Sequence, residues 1–173
     1  MSERARDRAL VGQTGAVTRE DFDLDRFVVA QDRDGSFRAA LIELGNGRKL
    51  GHWIWWVFPQ LAGLGRSERS RFYAISSLGE ARAFFHHPVL GPRLRDATLA
   101  VLTHQERGAQ TILGSDDVKF RSSMTLFSRA APEEQLFRHA IDTFFDGRVD
   151  ELTERLLDTY EASGLHERGV ADA

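Results

Sequence analysis

Apolar residues in this chain recur at spacings of three and four, and period-two alternation is almost absent. That pattern leaves helices as the only elements able to bury the apolar side chains. Phe37, Ala40, Leu41 and Leu44 make one stripe, and Phe120, Met124 and Phe127 another. Leu136, Phe137, Ala140, Ile141, Phe144 and Phe145 make a third, and Leu152, Leu156 and Tyr160 a fourth. Between the stripes stand residues that start or stop helices. Ser36, Ser67, Asp116 and Asp150 are predicted N-caps, and Ser77 with Glu80 fits a capping box. The helix opened by Ser67 is expected to run through Phe72, Tyr73 and Ile75. Gly45-Asn46-Gly47, His87-Pro88, Gly114 and Gly147 are predicted stops. The expectation is a mainly α, compact, orthogonal fold of about seven or eight helices with little or no sheet.

A chain of 173 residues suits one domain with a sizeable core. Residues 1–20 are polar and aperiodic and are expected to be disordered, and 164–173 to form a flexible tail. Residues 21–163 are expected to form a single helical domain. The formal net charge of -3 argues against a general polyanion-binding surface, and so against nucleic acid as a partner. There is no cysteine, which excludes disulfides, thiolate metal sites and a cysteine nucleophile. No apolar run reaches membrane-spanning length, and a cytoplasmic location is expected. HExxH, Walker, nucleophile-elbow and dinucleotide signatures are missing, so neither a metal nor a cofactor is expected.

The densest chemistry lies between Lys49 and Gln60. All three tryptophans, Trp53, Trp55 and Trp56, stand here beside His52. Tryptophans alone are commonly core. Interleaved with Lys49, His52 and Gln60, they also suit a pocket that stacks a flat ligand and holds its charged end. Lysine is scarce: the chain has 21 arginines and two lysines, Lys49 and Lys119. Lys119, Ser122 and Ser123 share one side of a helix that begins near Asp116, where donors and helix dipole can hold an anion. The structural alternative for that side is a solvated face. Glu80 is either a helix cap or a catalytic carboxylate, and His52 either a general acid–base or a polar edge of the aromatic cluster. Tyr73 completes the aromatic set.

The run K-x-G-H-W-I-W-W-V-F-P-Q-L-x-G-L-G is followed by S-x-x-S-x-F-Y-A-I, Glu80-Ala81, H-P-V-L-G-x-R-L, D-x-x-K at 116–119 and S-S-M-T-L-F. Over about residues 21–160 this order resembles the bacterial domain-of-unknown-function family eighteen-ten, which implies a compact, mainly helical domain. Members of that family often carry the label calpastatin. A calpain inhibitor of that kind is a disordered, apolar-poor chain, which the 12 phenylalanines here contradict. Ser77-x-x-Glu80-Ala81 and Lys119-Phe120 are also similar to NADAR (YbiA-like) proteins. That likeness implies a nucleotide- or ADP-ribose-like ligand and an N-glycosidase or ADP-ribosyl hydrolase reaction at Glu80. Rings would then lie on tryptophan and phosphate on Lys49 or Lys119. The competing reading is a non-catalytic protein-interaction domain with a structural tryptophan cluster. Neither reading fixes an oligomeric state.

Overall fold

Residues 22–163 are described by a computed structural model. Among them are seven helices of eight residues or more: α1 (Asp25–Asp32), α2 (Ser36–Gly45), α5 (Leu78–His86), α6 (Leu90–Leu102), α8 (Asp117–Ala130), α9 (Gln135–Phe145) and α10 (Glu151–Ala162). Three are single turns: α3 (Ile54–Val57), α4 (Glu68–Phe72) and α7 (Ala109–Leu113). The expectation of a mainly helical fold with little or no sheet holds: the described residues show one isolated parallel bridge, between Leu61 and Ile75. The segments expected to be disordered, 1–20 and 164–173, lie outside the described residues. No helix among those described is long and apolar enough to cross a membrane.

The caps follow the sequence in three places. The Ser67, Ser77 and Asp150 side chains accept from the backbone N–H groups of Ser70, Glu80 and Thr153. Ser36 is a correction. The N-cap of α2 is Gly35 at φ 67°, because a 3₁₀ turn over Arg33–Gly35 delivers the chain in a left-handed conformation. Ser36 therefore becomes the first helical residue, and its hydroxyl accepts from the Trp56 indole at 3.0 Å instead. A second correction concerns the helix after Ser67. It stops at Phe72, since Ile75 leaves it to donate its N–H to the Gln60 carbonyl at 2.8 Å.

Helix α8 is the axis of the fold, with α5, α9 and α10 packed round it. Phe120, Met124 and Phe127 are fully buried, as their spacing predicts. So are Ser123 and Thr125, and Ser122 nearly so. The serine side of α8 is thus covered by protein and is not the solvated face considered from sequence. Phe58 meets Phe120 edge-on at 4.9 Å, which ties the tryptophan segment to this axis. Between α5 and α6 the backbone turns tightly: a Cβ on Gly91 would lie 2.0 Å from the Phe85 carbonyl oxygen. His87 Nδ1 accepts there from the N–H groups of Val89 and Leu90, a structural use of that histidine.

Candidate functional site

The tryptophan segment folds as the single turn α3, stopped by Phe58 at φ -122°, ψ 70° just before Pro59. Around this turn, Trp53 at the N-cap and Trp55 and Trp56 within it project in different directions, so the indoles meet different neighbours. Trp53 points inward and is 3% exposed. Its indole N–H donates to Glu43 Oε2 at 2.8 Å, which also accepts from the backbone of Leu50 at 2.7 Å and Gly51 at 2.9 Å. Burial by itself raises the Glu43 carboxyl. The Gly51 and Leu50 N–H groups, the Trp53 indole and the Lys49 charge outweigh it and hold the group below the usual carboxylate range.

Lys49 and Lys119 converge, as a shared site requires, but on a carboxylate of the protein itself. Lys49 Nζ lies 2.7 Å from Asp116 Oδ2, and Lys119 Nζ lies 2.8 Å from Oδ1. Lys49 also donates to the Gly51 carbonyl at 2.5 Å and stands 5.0 Å from the centre of the Trp53 ring. Its side chain is 7% exposed, against 31% for Lys119. Lys119 Nζ sits 5.9 Å from the centre of the Trp55 ring. Burial raises the Asp116 carboxyl, but hydrogen bonds from Lys119 and Lys49 and the charge of both ammonium groups prevail and lower it. The result is a closed row of alternating charge: Glu43, Lys49, Asp116, Lys119.

On the other side of the segment, Trp56 and Tyr73 wall an open cleft of about 340 Å³, with Ala30, Arg33, Asp34, Ser36 and Arg69 completing the lining. Three contacts fix the Trp56 residue. Its indole N–H bonds to Ser36, its carbonyl accepts from Gln31 Nε2 at 2.7 Å, and its ring lies 5.2 Å from that of Tyr73. Arg69, from α4, places its guanidinium carbon 5.1 Å from the centre of the Trp55 ring. Neither Arg33 nor Arg69 makes an ion pair among the described residues. Asp34 occupies the left-handed region at φ 53°, a conformation that costs energy in a non-glycine residue, and it does so on the cleft wall.

Glu80 is elsewhere. It is 2% exposed, and both its oxygens are occupied. Oε1 accepts from Arg26 at 2.7 Å, and Oε2 accepts from the Ser76 N–H and hydroxyl, each at 2.7 Å. Its own N–H donates to Ser77 Oγ at 3.1 Å, so it ends the N-terminal turn of α5 and anchors α1 to it through Arg26. His52 is exposed. Gln60 is half-buried beside the Leu61–Ile75 bridge. The Ser122 hydroxyl bonds back to the Val118 carbonyl at 3.0 Å. Ser123 Oγ and Trp55 Nε1 are buried without a protein partner. The structure therefore brings Trp56 and Tyr73 into the cleft, with Trp55 alongside. It gathers Lys49, Trp53, Asp116 and Lys119 in the clasp and encloses Glu80. Sequence reasoning missed Arg33, Asp34, Arg69 and Glu43. Among the described residues, no three histidine or acidic side chains gather as a metal-binding group.

The family described as a protein of unknown function (DUF1810) matches residues 21–157. The chain belongs to that family. A solved structure, that of the conserved hypothetical protein Rv1873 from Mycobacterium tuberculosis, is 47% identical with a TM-score of 0.77. The match covers 79% of this chain and 97% of that one. No curated protein matches.

Proposed function

We propose that the Trp56–Tyr73 cleft binds a small nucleotide-like anion, of the nucleotide or ADP-ribose type. The observation that carries this reading is the pair of arginines, Arg33 and Arg69, which make no ion pair among the described residues and stand beside an aromatic wall. A planar ring gains contact area on Trp56, and guanidinium groups recognise phosphate through forked donors. Helix α2 begins at the same wall with no side-chain cap, so the positive end of its dipole favours the same charge. Asp34 offers an acceptor to sugar hydroxyls. The cleft volume of about 340 Å³ lies at the small end of ligand sites.

The reading is one of binding. Hydrolysis of an N-glycosidic bond at Glu80 would require the Arg26 pair to open, and His52 does not line the cleft. A second reading, docking of a protein partner, draws on Phe72. That ring is 59% exposed and stacks edge-on to Tyr73 at 4.8 Å on the rim.

Titration of the protein with AMP and with ADP-ribose, followed by tryptophan fluorescence, separates the two readings. Saturable quenching is expected, weakened about 10- to 100-fold in Trp56→Ala, the scale of one lost stacking contact. Arg69→Ala, an exposed change that leaves the fold alone, should weaken binding too. Quenching that never saturates, or that is indifferent to Arg69, overturns the nucleotide reading.

A further inference from the structure

We infer that the ligand of the cleft carries a second anionic group, and that Lys119 receives it across the Trp55 ring; this rests on the cleft reading above. Trp55 adjoins the cleft wall, its ring centre 6.5 Å from that of Trp56. Two cations attend that one ring. The Arg69 guanidinium carbon is 5.1 Å from its centre and Lys119 Nζ is 5.9 Å away, so their separation cannot exceed those two distances combined. Arg69 also lines the cleft. It is thus the shared member of two anion-seeking places: the cleft on one side and the Trp55–Lys119 edge on the other.

The hydrogen bonding of Lys119 supports the same assignment. An ammonium has three donors. In Lys119 one goes to Asp116, whose other oxygen is already held by Lys49. Lys49 is enclosed, while Lys119 ends the charge row where the chain meets water. Two like charges beside one indole repel each other. An added anion near both relieves that repulsion, and a single phosphate at Arg33 and Arg69 leaves Lys119 with Asp116 as its charged partner. A ligand with two linked phosphates carries one anion for each place. The chemical class is therefore a nucleoside diphosphate or its ester, in preference to a monophosphate.

Affinities of AMP and ADP measured by calorimetry at one fixed salt concentration test this. Wild-type protein should bind ADP about tenfold or more tightly than AMP, the scale of one charge-assisted hydrogen bond. Lys119→Met should bring ADP down to the level of AMP and leave AMP itself unchanged. Lys119→Arg should keep much of the difference. Asp116 retains Lys49 in both variants, and a thermal melt confirms the fold. Equal affinities for the two nucleotides in wild type, or a Lys119→Met variant that weakens both alike, overturns the second-anion assignment and leaves the cleft reading standing. Failure of wild type to bind either nucleotide overturns the cleft reading itself.

Discussion

Replacing Asp116 by asparagine is the most direct probe of the clasp that holds the tryptophan segment. The carboxylate joins Lys49, on the strip before α3, to the N-terminus of α8. Asparagine keeps the shape and one acceptor but removes the charge. Lys49 then remains 7% exposed without an ion-pair partner, left with neutral acceptors, the Trp53 ring and the more remote Glu43 charge. Breaking a fully buried pair costs about 3–5 kcal/mol. Here Asp116 is 18% exposed and the Lys119 half of the bridge is open to water, where such a pair contributes about 0–1 kcal/mol. The expected loss is therefore about 2–3 kcal/mol, read as a fall of about 1 M in the urea midpoint. The double variant Asp116→Asn/Lys49→Met should be more stable than Asp116→Asn alone, because the stranded ammonium is gone. A loss under about 0.5 kcal/mol for the single variant, or strict additivity in the double, would refute the clasp as a stabilising element.

Two further outcomes follow from the same geometry. Glu80→Gln should destabilise by about 1–3 kcal/mol, since the 11% exposed Arg26 loses its carboxylate partner and keeps the carbonyls of Asp23, Phe72 and Ala74. AMP affinity of the folded fraction should stay unchanged; normal stability with lost binding would instead return Glu80 to the ligand site. Acid should weaken the protein through Asp116, Glu43 and Glu134, all held below their ordinary values. Their unfolded forms bind protons first, so the stability they add is complete above the ordinary carboxylate pKa of about 4 and is lost as pH falls through the lowered values. Urea midpoints from pH 7 down to pH 3 should show that decline, shallower in Asp116→Asn; a flat profile removes these carboxylates from the stability of the fold.

The helices were legible because their signals are local. Ser77 and Asp150 cap what their sequence neighbourhoods say they cap, and the Phe120–Met124–Phe127 stripe is buried as spaced. The tryptophan segment was illegible as secondary structure because a single helical turn is too short to show a period. Ser36 misled because the left-handed Gly35 before it depends on the 3₁₀ turn, not on the serine. The scarcity of lysine singled out Lys49 and Lys119, but not whether or how they meet. Asp116 reaches Lys49 only because α7 and the 3₁₀ turn over Gly114–Asp116 fold back, with the Lys49 N–H donating to the Ile112 carbonyl at 2.7 Å. Glu43 gave no signal, being one acidic residue on a helix flank. Arg33 and Arg69 were lost among 21 arginines, where an arginine on a cleft looks like any other.

The scarcity of lysine acquires a physical meaning from the clasp. Lys49 Nζ fits between a carbonyl at 2.5 Å and a carboxylate at 2.7 Å while lying over an indole face. A compact ammonium with three rotatable donors satisfies that geometry. The broader, planar guanidinium is best satisfied by both oxygens of a carboxylate, and the second Asp116 oxygen is already held by Lys119. Pressure toward arginine, which the composition of the rest of the chain reflects, is therefore opposed at position 49 by packing. Lys119 is under weaker steric constraint, since its head is partly in water. Packing alone therefore does not call for a lysine at position 119, and the ligand role proposed above is a separate use of its charge.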